Sequence, residues 1–411
     1  MTRTQIGVRT VVPRWIRGCT LLLTIMCVAL VAGCGTIPKR TPLPEGLSNN
    51  AEIAGIPRAR AWGDEPFSWT DEWFALSREQ LQTRYPAVYG KDHNYLAISG
   101  GGSNGAFTAG LLLGWTETGT RPDFSAVTGI STGALIAPFA FLGSDYDATL
   151  KELYTGISTE DILTERGFWS GFYGLQSDAL ANTKPLQKLL KKYITPQIME
   201  AIAEEYRKGR QLDIGTTNLD AGRPVIWSIG RIAASGHPKA LDLIRDLLLA
   251  SASIPVAFPP VLVEVEANGQ VYDELHVDGG GSTQIFMYPV GLDFGRALNK
   301  LEVKSPPNIY LIRNSPIDPK YSEVEPGITN IAGRTIDSLI RTQGIGDIYR
   351  MYYQTKRDGL SYHLAYIPDD FKEKSKEPFD KEYMGKLFDF GYRLAKDGYP
   401  WLKYPPGAEV E

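Results

Sequence analysis

The chain has 411 residues, a formal net charge of −4, three cysteines and four histidines. An acidic chain without a basic stripe is a poor match for a nucleic-acid-binding protein or for electrostatic docking on anionic lipid. None of the histidines is spaced as a metal ligand with another, and the cysteine content excludes a disulfide scaffold, so we expect no metal and no cofactor.

The first 33 residues have the pattern of a secretory signal. An apolar run over 20–32 is too short to cross a bilayer as a helix, which takes roughly 20 residues, but suits a signal-peptide core. It follows a segment with four basic residues and no acid: Arg3, Arg9, Arg14 and Arg17. We therefore predict a signal peptide over 1–33, whose removal would change the net charge from −4 to −8.

The run ends in Val31-Ala32-Gly33-Cys34, which resembles the lipobox of bacterial lipoproteins. The resemblance implies that Cys34 becomes the mature N-terminus and carries lipid. Gly35 is not the aspartate associated with inner-membrane retention, so we expect an outer-membrane, periplasm-facing site in the cell envelope. The alternative is plain secretion, with Cys34 downstream of an ordinary cleavage site.

A segment rich in Pro, Gly, Ser and Asn over 34–60 predicts a tether, and a single domain is expected over 61–411. Five aromatic residues open this domain. They favour an N-terminal helix that packs on the core over an interfacial skirt against the membrane: Trp62, Phe67, Trp69, Trp73 and Phe74.

Short apolar strand patterns alternate with amphipathic helix patterns through the domain. Strands are predicted over 95–99, 124–128, 211–217, 224–229, 270–278 and 308–313. Helices are predicted over 108–117, 133–142, 185–193, 196–207, 241–251, 331–354 and 381–397. This alternation indicates an α/β protein in which helices cover both faces of a sheet.

A glycine-rich turn, Gly100-Gly101-Gly102-Ser103-Asn104-Gly105, follows the first of these strands and precedes a helix. Glycines allow positive φ and close backbone approach, and the helix start points free N–H groups the same way. Such a turn binds an anion, either a phosphate or a developing oxyanion. The spacing also satisfies a dinucleotide fingerprint, but the second strand lacks the acidic residue that this fingerprint requires at its end.

A second strand–turn–helix unit follows, with the turn Gly129-Ile130-Ser131-Thr132-Gly133. Glycines two residues either side of Ser131 permit a sharp elbow that exposes the hydroxyl at a helix start. The alternative is a serine that only caps the helix. Two turns so close together favour a nucleophile beside an oxyanion cradle, which is the machinery of acyl transfer.

The base for this serine has three candidates. In the order of α/β-hydrolases it would be His363, which lies in an ordinary strand pattern. Asp278 ends a strand and is followed by Gly279 and Gly280, which leave its carboxylate unshielded. His276 shares a strand face with Asp278 and is its rival. An aspartate can act as the base only when burial raises its pKa.

These segments, together with 252–260, resemble the patatin-like phospholipase family over roughly 92–290. The resemblance implies a three-layer α/β/α fold with a central mixed, mostly parallel sheet. It also implies a Ser131–Asp278 dyad, an oxyanion hole at Gly100, Gly101 and Gly102, and a lipid or lysolipid ester as substrate. The family's motifs are supported by five further glycines: Gly105, Gly129, Gly133, Gly279 and Gly280.

The chain departs from the family pattern at two positions. Ser99 stands where the family usually has aspartate, and Asn104 where it usually has lysine or arginine. Loss of that cation weakens the case for a phosphate-bearing substrate. The alternative function is a non-enzymatic envelope lipoprotein that keeps the fold as a lipid-binding module.

Two further segments bear on substrate access. The apolar segment 247–260 is expected to pack in the core and could line an acyl pocket. The aromatic and glycine-rich segment 167–174 predicts either simple packing or a mobile lid.

Overall fold

The computed structural model describes residues 40–165, 181–319, 321 and 323–408. The predicted signal peptide, Cys34 and the predicted lid segment 167–174 lie outside the described residues.

The described residues form eleven strands and thirteen α-helices, besides a few short 3-10 helices. The strands are β1 (Arg60–Trp62), β2 (Asn94–Ile98), β3 (Ala126–Ile130), β4 (Thr164–Glu165), β5 (Ala181–Asn182), β6 (Gln211–Asn218), β7 (Arg223–Ser228), β8 (Val261–Ala267), β9 (Gln270–Asp278), β10 (Asn308–Arg313) and β11 (Ser361–Tyr366). The helices are α1 (Thr70–Phe74), α2 (Arg78–Arg84), α3 (Gly105–Glu117), α4 (Thr132–Leu142), α5 (Asp147–Thr155), α6 (Thr159–Ile162), α7 (Lys184–Tyr193), α8 (Pro196–Arg207), α9 (Ile229–Ala234), α10 (Ala240–Ser251), α11 (Phe294–Lys300), α12 (Ile328–Asp358) and α13 (Lys381–Lys396).

Nine of these strands form one mixed sheet. Its main path has the order β1-β7-β6-β3-β2-β10-β11, and five adjacent strands of it, from β6 to β11, run parallel. Strand β9 pairs antiparallel with the end of β6 and carries β8 on its other side. Because parallel strands end at one edge of a sheet, the residues that follow β2 and β3 meet there.

Helices cover both faces of this sheet, as the strand β2 shows. Leu96 and Ile98 pack into the larger apolar cluster, with residues of α3, α4 and α13. Tyr95 and Ala97 point the other way, into a second cluster with residues of α11 and α12. Alternate residues of a strand face opposite sides of the sheet. The predicted three-layer α/β/α architecture is therefore confirmed.

The predicted strands and helices were placed correctly, with shifts of a few residues at their ends. The short strands β1, β4 and β5 and the helices α2, α5, α6, α9 and α11 have no predicted counterpart. Strand β8 was also missed, although its sequence alternates apolar and acidic residues as a half-buried strand does. It is joined to β9 by a two-residue turn at Asn268 and Gly269, both with positive φ (51° and 73°). This is the geometry that favours Asn-Gly in hairpins.

The tether predicted over 34–60 is not free over residues 40–60. Ile53 and Ile56 are buried in the main apolar cluster, and the backbone at Glu52 pairs with Glu266 of β8. The guanidinium of Arg40 also bonds the carboxylate of Asp220, with both distances 2.6 Å. The polar composition of this segment hides the few apolar residues that hold it against the sheet.

The aromatic residues of 62–74 pack on the domain, as the favoured prediction has it. Trp62 is buried in the edge strand β1, and the indole N–H of Trp73, in α1, donates to the Tyr85 hydroxyl at 2.9 Å. Phe67 stacks on Trp69 with ring centroids 5.2 Å apart. None of the helices in the described part of the chain has the length and apolar character needed to cross a membrane.

Candidate active site

The two glycine turns predicted from the sequence lie side by side at the carboxyl edge of the sheet. The first connects β2 to α3, and the second connects β3 to α4. A Cβ atom added to Gly100 would lie 3.2 Å from the Ser131 Cβ, which is tighter than ordinary contact. The two turns therefore approach each other closely at Gly100 and Ser131.

Ser131 occupies the strained elbow between β3 and α4. Its φ of 55° and ψ of −125° are rare for a residue with a side chain. The Ser131 backbone N–H donates to the Ser251 hydroxyl at 3.0 Å, and Ser251 in turn donates to the Gly215 carbonyl at 2.7 Å. This brace holds the elbow, and the first turn of α4 places its positive dipole end at the serine.

The glycines that flank the elbow are required by packing. A Cβ on Gly129 would lie 2.3 Å from the Gly133 carbonyl oxygen, and one on Gly133 would lie 2.3 Å from that of Ile98. A Cβ on Gly105 would lie 2.4 Å from the Thr132 hydroxyl oxygen. All three distances are too short for any side chain, so these positions shape the site without contributing functional groups.

Asp278 ends β9 and pairs with Thr216 of β6, which brings it to the carboxyl edge of the sheet. Its Oδ1 accepts the Gly280 N–H at 2.7 Å. Its Oδ2 is buried and has no hydrogen-bond partner among the described residues. A Cβ on Gly279 would lie 2.6 Å from the Gly215 carbonyl oxygen, so this glycine lets β9 approach β6 closely.

Burial raises the pKa of the Asp278 carboxyl to about 6, and the nearby Ser131 hydroxyl and Gly280 N–H offset part of this rise. No well-aligned hydrogen bond joins the Ser131 hydroxyl to Oδ2 in this structure. A carboxylate with a raised pKa and a free oxygen beside a serine can accept a proton from it.

The two rival histidines are engaged elsewhere. His276 is fully buried, with Nδ1 2.9 Å from the Thr216 hydroxyl and Nε2 3.1 Å from the Glu274 carboxylate. His363 lies on β11, and its ring nitrogens contact Asn308 and Lys403. Burial lowers the pKa of His363 to about 4. Neither ring contacts Ser131, so the geometry favours Asp278 among the three candidates.

The first glycine turn offers two backbone donors rather than the three expected. The Gly100 N–H donates to the Gln284 carbonyl at 3.3 Å, so the prediction of Gly100 as an oxyanion donor is wrong. Within the described residues the N–H groups of Gly101 and Gly102 have no acceptor. A Cβ on Gly101 would lie 2.4 Å from the Asn314 carbonyl oxygen, so only glycine fits there.

Asn314 braces this turn, and no motif in the sequence predicts that role. Its backbone N–H donates to the Ser99 hydroxyl at 2.9 Å, and its side-chain amide donates to the Ser99 carbonyl at 2.9 Å. Thr108 donates to its amide oxygen at 2.6 Å. Ser99, where the family usually has aspartate, is thus tied into a neutral network that fixes the start of the glycine turn.

Asn104, where the family usually has a cation, also has a neutral partner. Its amide oxygen accepts the Tyr383 hydroxyl of α13 at 2.7 Å. No lysine or arginine side chain of the described residues is bonded to it. The turn therefore lacks the usual positive charge at this position.

A small apolar cavity of about 60 Å³ reaches Thr132, the residue that follows Ser131 in the chain. It is lined by residues of α4, α7, α10 and α13, among them Leu135, Leu186, Leu248 and Met384. Leu248 belongs to the apolar segment 247–260, for which core packing is the prediction and the lining of an acyl pocket is compatible with it. The described residues contain no cluster of three or more groups placed to hold a metal ion.

The part of the sequence that forms this site matches the model of a known protein family. Residues 96–291 match the family model described as patatin-like phospholipase. This part, just under half of the chain, is thus similar to the patatin-like phospholipase domain. The match covers both glycine turns, Ser131 and Asp278, and nearly coincides with the range expected from the motifs.

Solved structures resemble this chain only weakly, both in sequence and in fold. VipD from Legionella pneumophila is 15% identical with a TM-score of 0.34, covering 75% of this chain and 67% of VipD. ExoU of the Pseudomonas aeruginosa type III secretion system, solved with SpcU, is 14% identical with a TM-score of 0.33. That match covers 75% of this chain and 52% of ExoU. No curated protein gives a significant match. The scores are low, so the fold assignment rests on strand order and the family match.

Proposed function

We propose that this patatin-like chain hydrolyses carboxylic esters of lipids or lysolipids through an acyl-Ser131 intermediate. The observation that carries the proposal is the buried, unpaired oxygen of Asp278 beside the serine of a strained strand-to-helix elbow. The family match supplies the lipid class of the substrate.

In the first step the Ser131 oxygen attacks the ester carbonyl carbon as its proton passes to Asp278. The tetrahedral intermediate collapses, the alcohol leaves with the proton from Asp278, and the acyl group remains on Ser131. Water then attacks the acyl carbon and gives its proton to Asp278, and the carboxylic acid is released as Ser131 regains a proton. Atoms and charges balance without any cofactor.

The negative charge that develops on the carbonyl oxygen would be bound by the N–H groups of Gly101 and Gly102. Donors of this kind contribute on the order of 10²–10³ in rate each. The apolar cavity beside Thr132 would hold the acyl chain next to the reacting carbon. Because Asn104 brings no positive charge, the geometry favours recognition of the acyl ester over recognition of a phosphate.

A fluorophosphonate probe tests the proposal, since it forms a covalent bond only with an activated serine. We expect labelling of the wild-type protein and none of the Ser131→Ala protein, with the label on the peptide that contains Ser131. Absence of labelling in folded wild-type protein would instead favour the alternative, a lipid-binding module without hydrolase activity.

We further propose that Cys34 carries lipid and holds the domain at a bacterial outer membrane. The support is the small-residue sequence Val31-Ala32-Gly33 before the cysteine. Cys34→Ser is expected to move the protein from the membrane fraction to the soluble fraction, with Cys19→Ser, inside the predicted signal, as the matched control. A Cys34→Ser protein that stayed in the membrane fraction would contradict this.

A further inference from the structure

A second and larger cavity lies at the opposite end of the sheet from Ser131. This distal cavity has a volume of about 260 Å³ and touches the amino-terminal ends of β2, β3 and β6. Strand β3 separates it from the nucleophile by five residues, or roughly 16 Å. Its walls are mostly aromatic and aliphatic, including Phe67, Trp69, Trp73, Phe74, Tyr95 and Leu298.

The distal cavity also contains a guanidinium, that of Arg231, that no described residue pairs with directly, although the carboxyls of Glu52 and Asp213 interact with it electrostatically. Arg231, in the last turn of the short helix α9, lines the cavity and forms no hydrogen bond or ion pair with any residue that the structure describes. Its guanidinium carbon lies 5.7 Å from the centre of the Tyr206 ring. A guanidinium in an apolar chamber is favourable mainly when an anion satisfies its donors.

The one carboxyl group in the lining does not neutralise this cation. Asp213 of β6 is held by the Ser228 hydroxyl, and burial raises the pKa of Asp213 to about 7. The carboxyl therefore carries only part of a negative charge at neutral pH. Two further guanidiniums line the cavity: that of Arg58 pairs with the exposed Glu72, and that of Arg60 pairs with the buried Glu274. The charges of the lining thus leave a net preference for an anion.

We propose that the distal cavity binds an amphiphile with a carboxylate head, a medium-chain fatty acid, with the carboxylate on Arg231 and the chain among the aromatic walls. The volume is enough for on the order of nine water-sized groups, which matches a chain of about ten carbons. An uncharged lipid would fill the same space but leave the donors of Arg231 unsatisfied.

Binding of decanoate to the Ser131→Ala protein, measured by isothermal titration below the micelle concentration, tests this site. The serine variant is used so that the result is independent of the proposed hydrolysis. We expect decanoate to bind one-to-one and decanol to bind roughly 10- to 100-fold more weakly, since decanol makes no charge-assisted hydrogen bonds.

Two substitutions assign the binding to this cavity. Arg231→Gln is expected to weaken decanoate by roughly 10- to 100-fold and to leave decanol unchanged. Ala297→Phe, which adds bulk to the cavity wall, is expected to abolish binding of both, and circular dichroism establishes that each variant is folded. Should Ala297→Phe fail to fold, Arg231→Gln decides alone.

Three results would overturn the proposal: no decanoate binding, equal affinity for decanoate and decanol, or unchanged decanoate affinity in folded Arg231→Gln protein. A lysophospholipid with a ten-carbon chain separates the two sources of the acyl group. Free decanoate is expected to bind undisturbed in its presence, and competition between them would assign the cavity to lipid acyl chains instead.

Discussion

Asp278→Asn should lower kcat for a short p-nitrophenyl ester by about 10²–10⁴-fold, the range that a positioned general base contributes. The amide keeps the shape of the carboxyl and can still accept the Gly280 N–H, but it cannot take the proton from Ser131. Asp273→Asn on the same strand is the matched control, because Asp273 lies five residues before Asp278 and its carboxylate accepts the Thr41 N–H instead of facing the serine turn. It is expected to keep full activity.

The same substitution is expected to stabilise the protein at alkaline pH. The pKa of Asp278 is raised from 3.8 to about 6 in the folded state, so folding binds a proton between these values. The free energy of unfolding therefore falls as pH rises from about 4 to 6, by about 3 kcal/mol in total. Asn removes this penalty, so Asp278→Asn should denature at higher urea concentration than wild type at pH 8 but not at pH 4.

The kcat of the wild-type protein should depend on the ionisation of Asp278. It is expected to rise with pH through about 6, because the ionised carboxylate can accept a proton. A Ser131→Ala, Asp278→Asn double variant is expected to be no slower than Ser131→Ala alone, since the two groups act as a unit. An Asp278→Asn protein with more than a tenth of wild-type kcat would refute Asp278 as the base.

Glu274→Gln should lower the free energy of unfolding by about 3–5 kcal/mol, because it leaves a buried charge without its partner. Glu274 and Arg60 form an ion pair at 2.6 Å with side chains only 1% and 3% exposed. The pair joins the edge strand β1 to β9. Glu274 lies four residues before Asp278 on the same strand. Urea denaturation of the two proteins at pH 7 measures the difference.

The pair between Arg58 and Glu72 provides the matched control for this prediction. It lies close by in the same segment, but its side chains are 39% and 68% exposed. Exposed pairs contribute roughly 0–1 kcal/mol, so Glu72→Gln is expected to have little effect on the urea midpoint. Equal effects of the two substitutions would mean that the buried pair does not hold the edge strand.

Local residue patterns were enough to predict the parts of the site that are local in sequence. The glycines around Ser131 are required by contacts within the same strand–turn–helix unit, so their spacing carried the information. Asp278 was found because a strand pattern ended in an acid followed by glycines. These features place the acid and the serine at one edge of the sheet once the strand order is known.

The braces of the site could not be predicted, because their partners are distant in sequence. Ser251 supports the elbow from 120 residues away, and Asn314 holds the first glycine turn from 215 residues away. Neither lies in a pattern that differs from ordinary helix or loop. The error at Gly100 has the same cause, since the direction of its N–H is fixed by the carbonyl of Gln284.

The packing of residues 40–60 limits the distance between the proposed lipid anchor and the active site. Arg40 is fastened to Asp220, just beyond the carboxyl end of β6, the same edge at which Ser131 lies. Six residues lead back from Arg40 to Cys34, and they can reach at most about 20 Å. With a lipid on Cys34, as proposed, this short linker would keep the edge of the sheet that carries Ser131 facing the bilayer. Encounter with substrate would then be two-dimensional, and turnover would follow the surface density of lipid in the leaflet, not its amount per volume of solution.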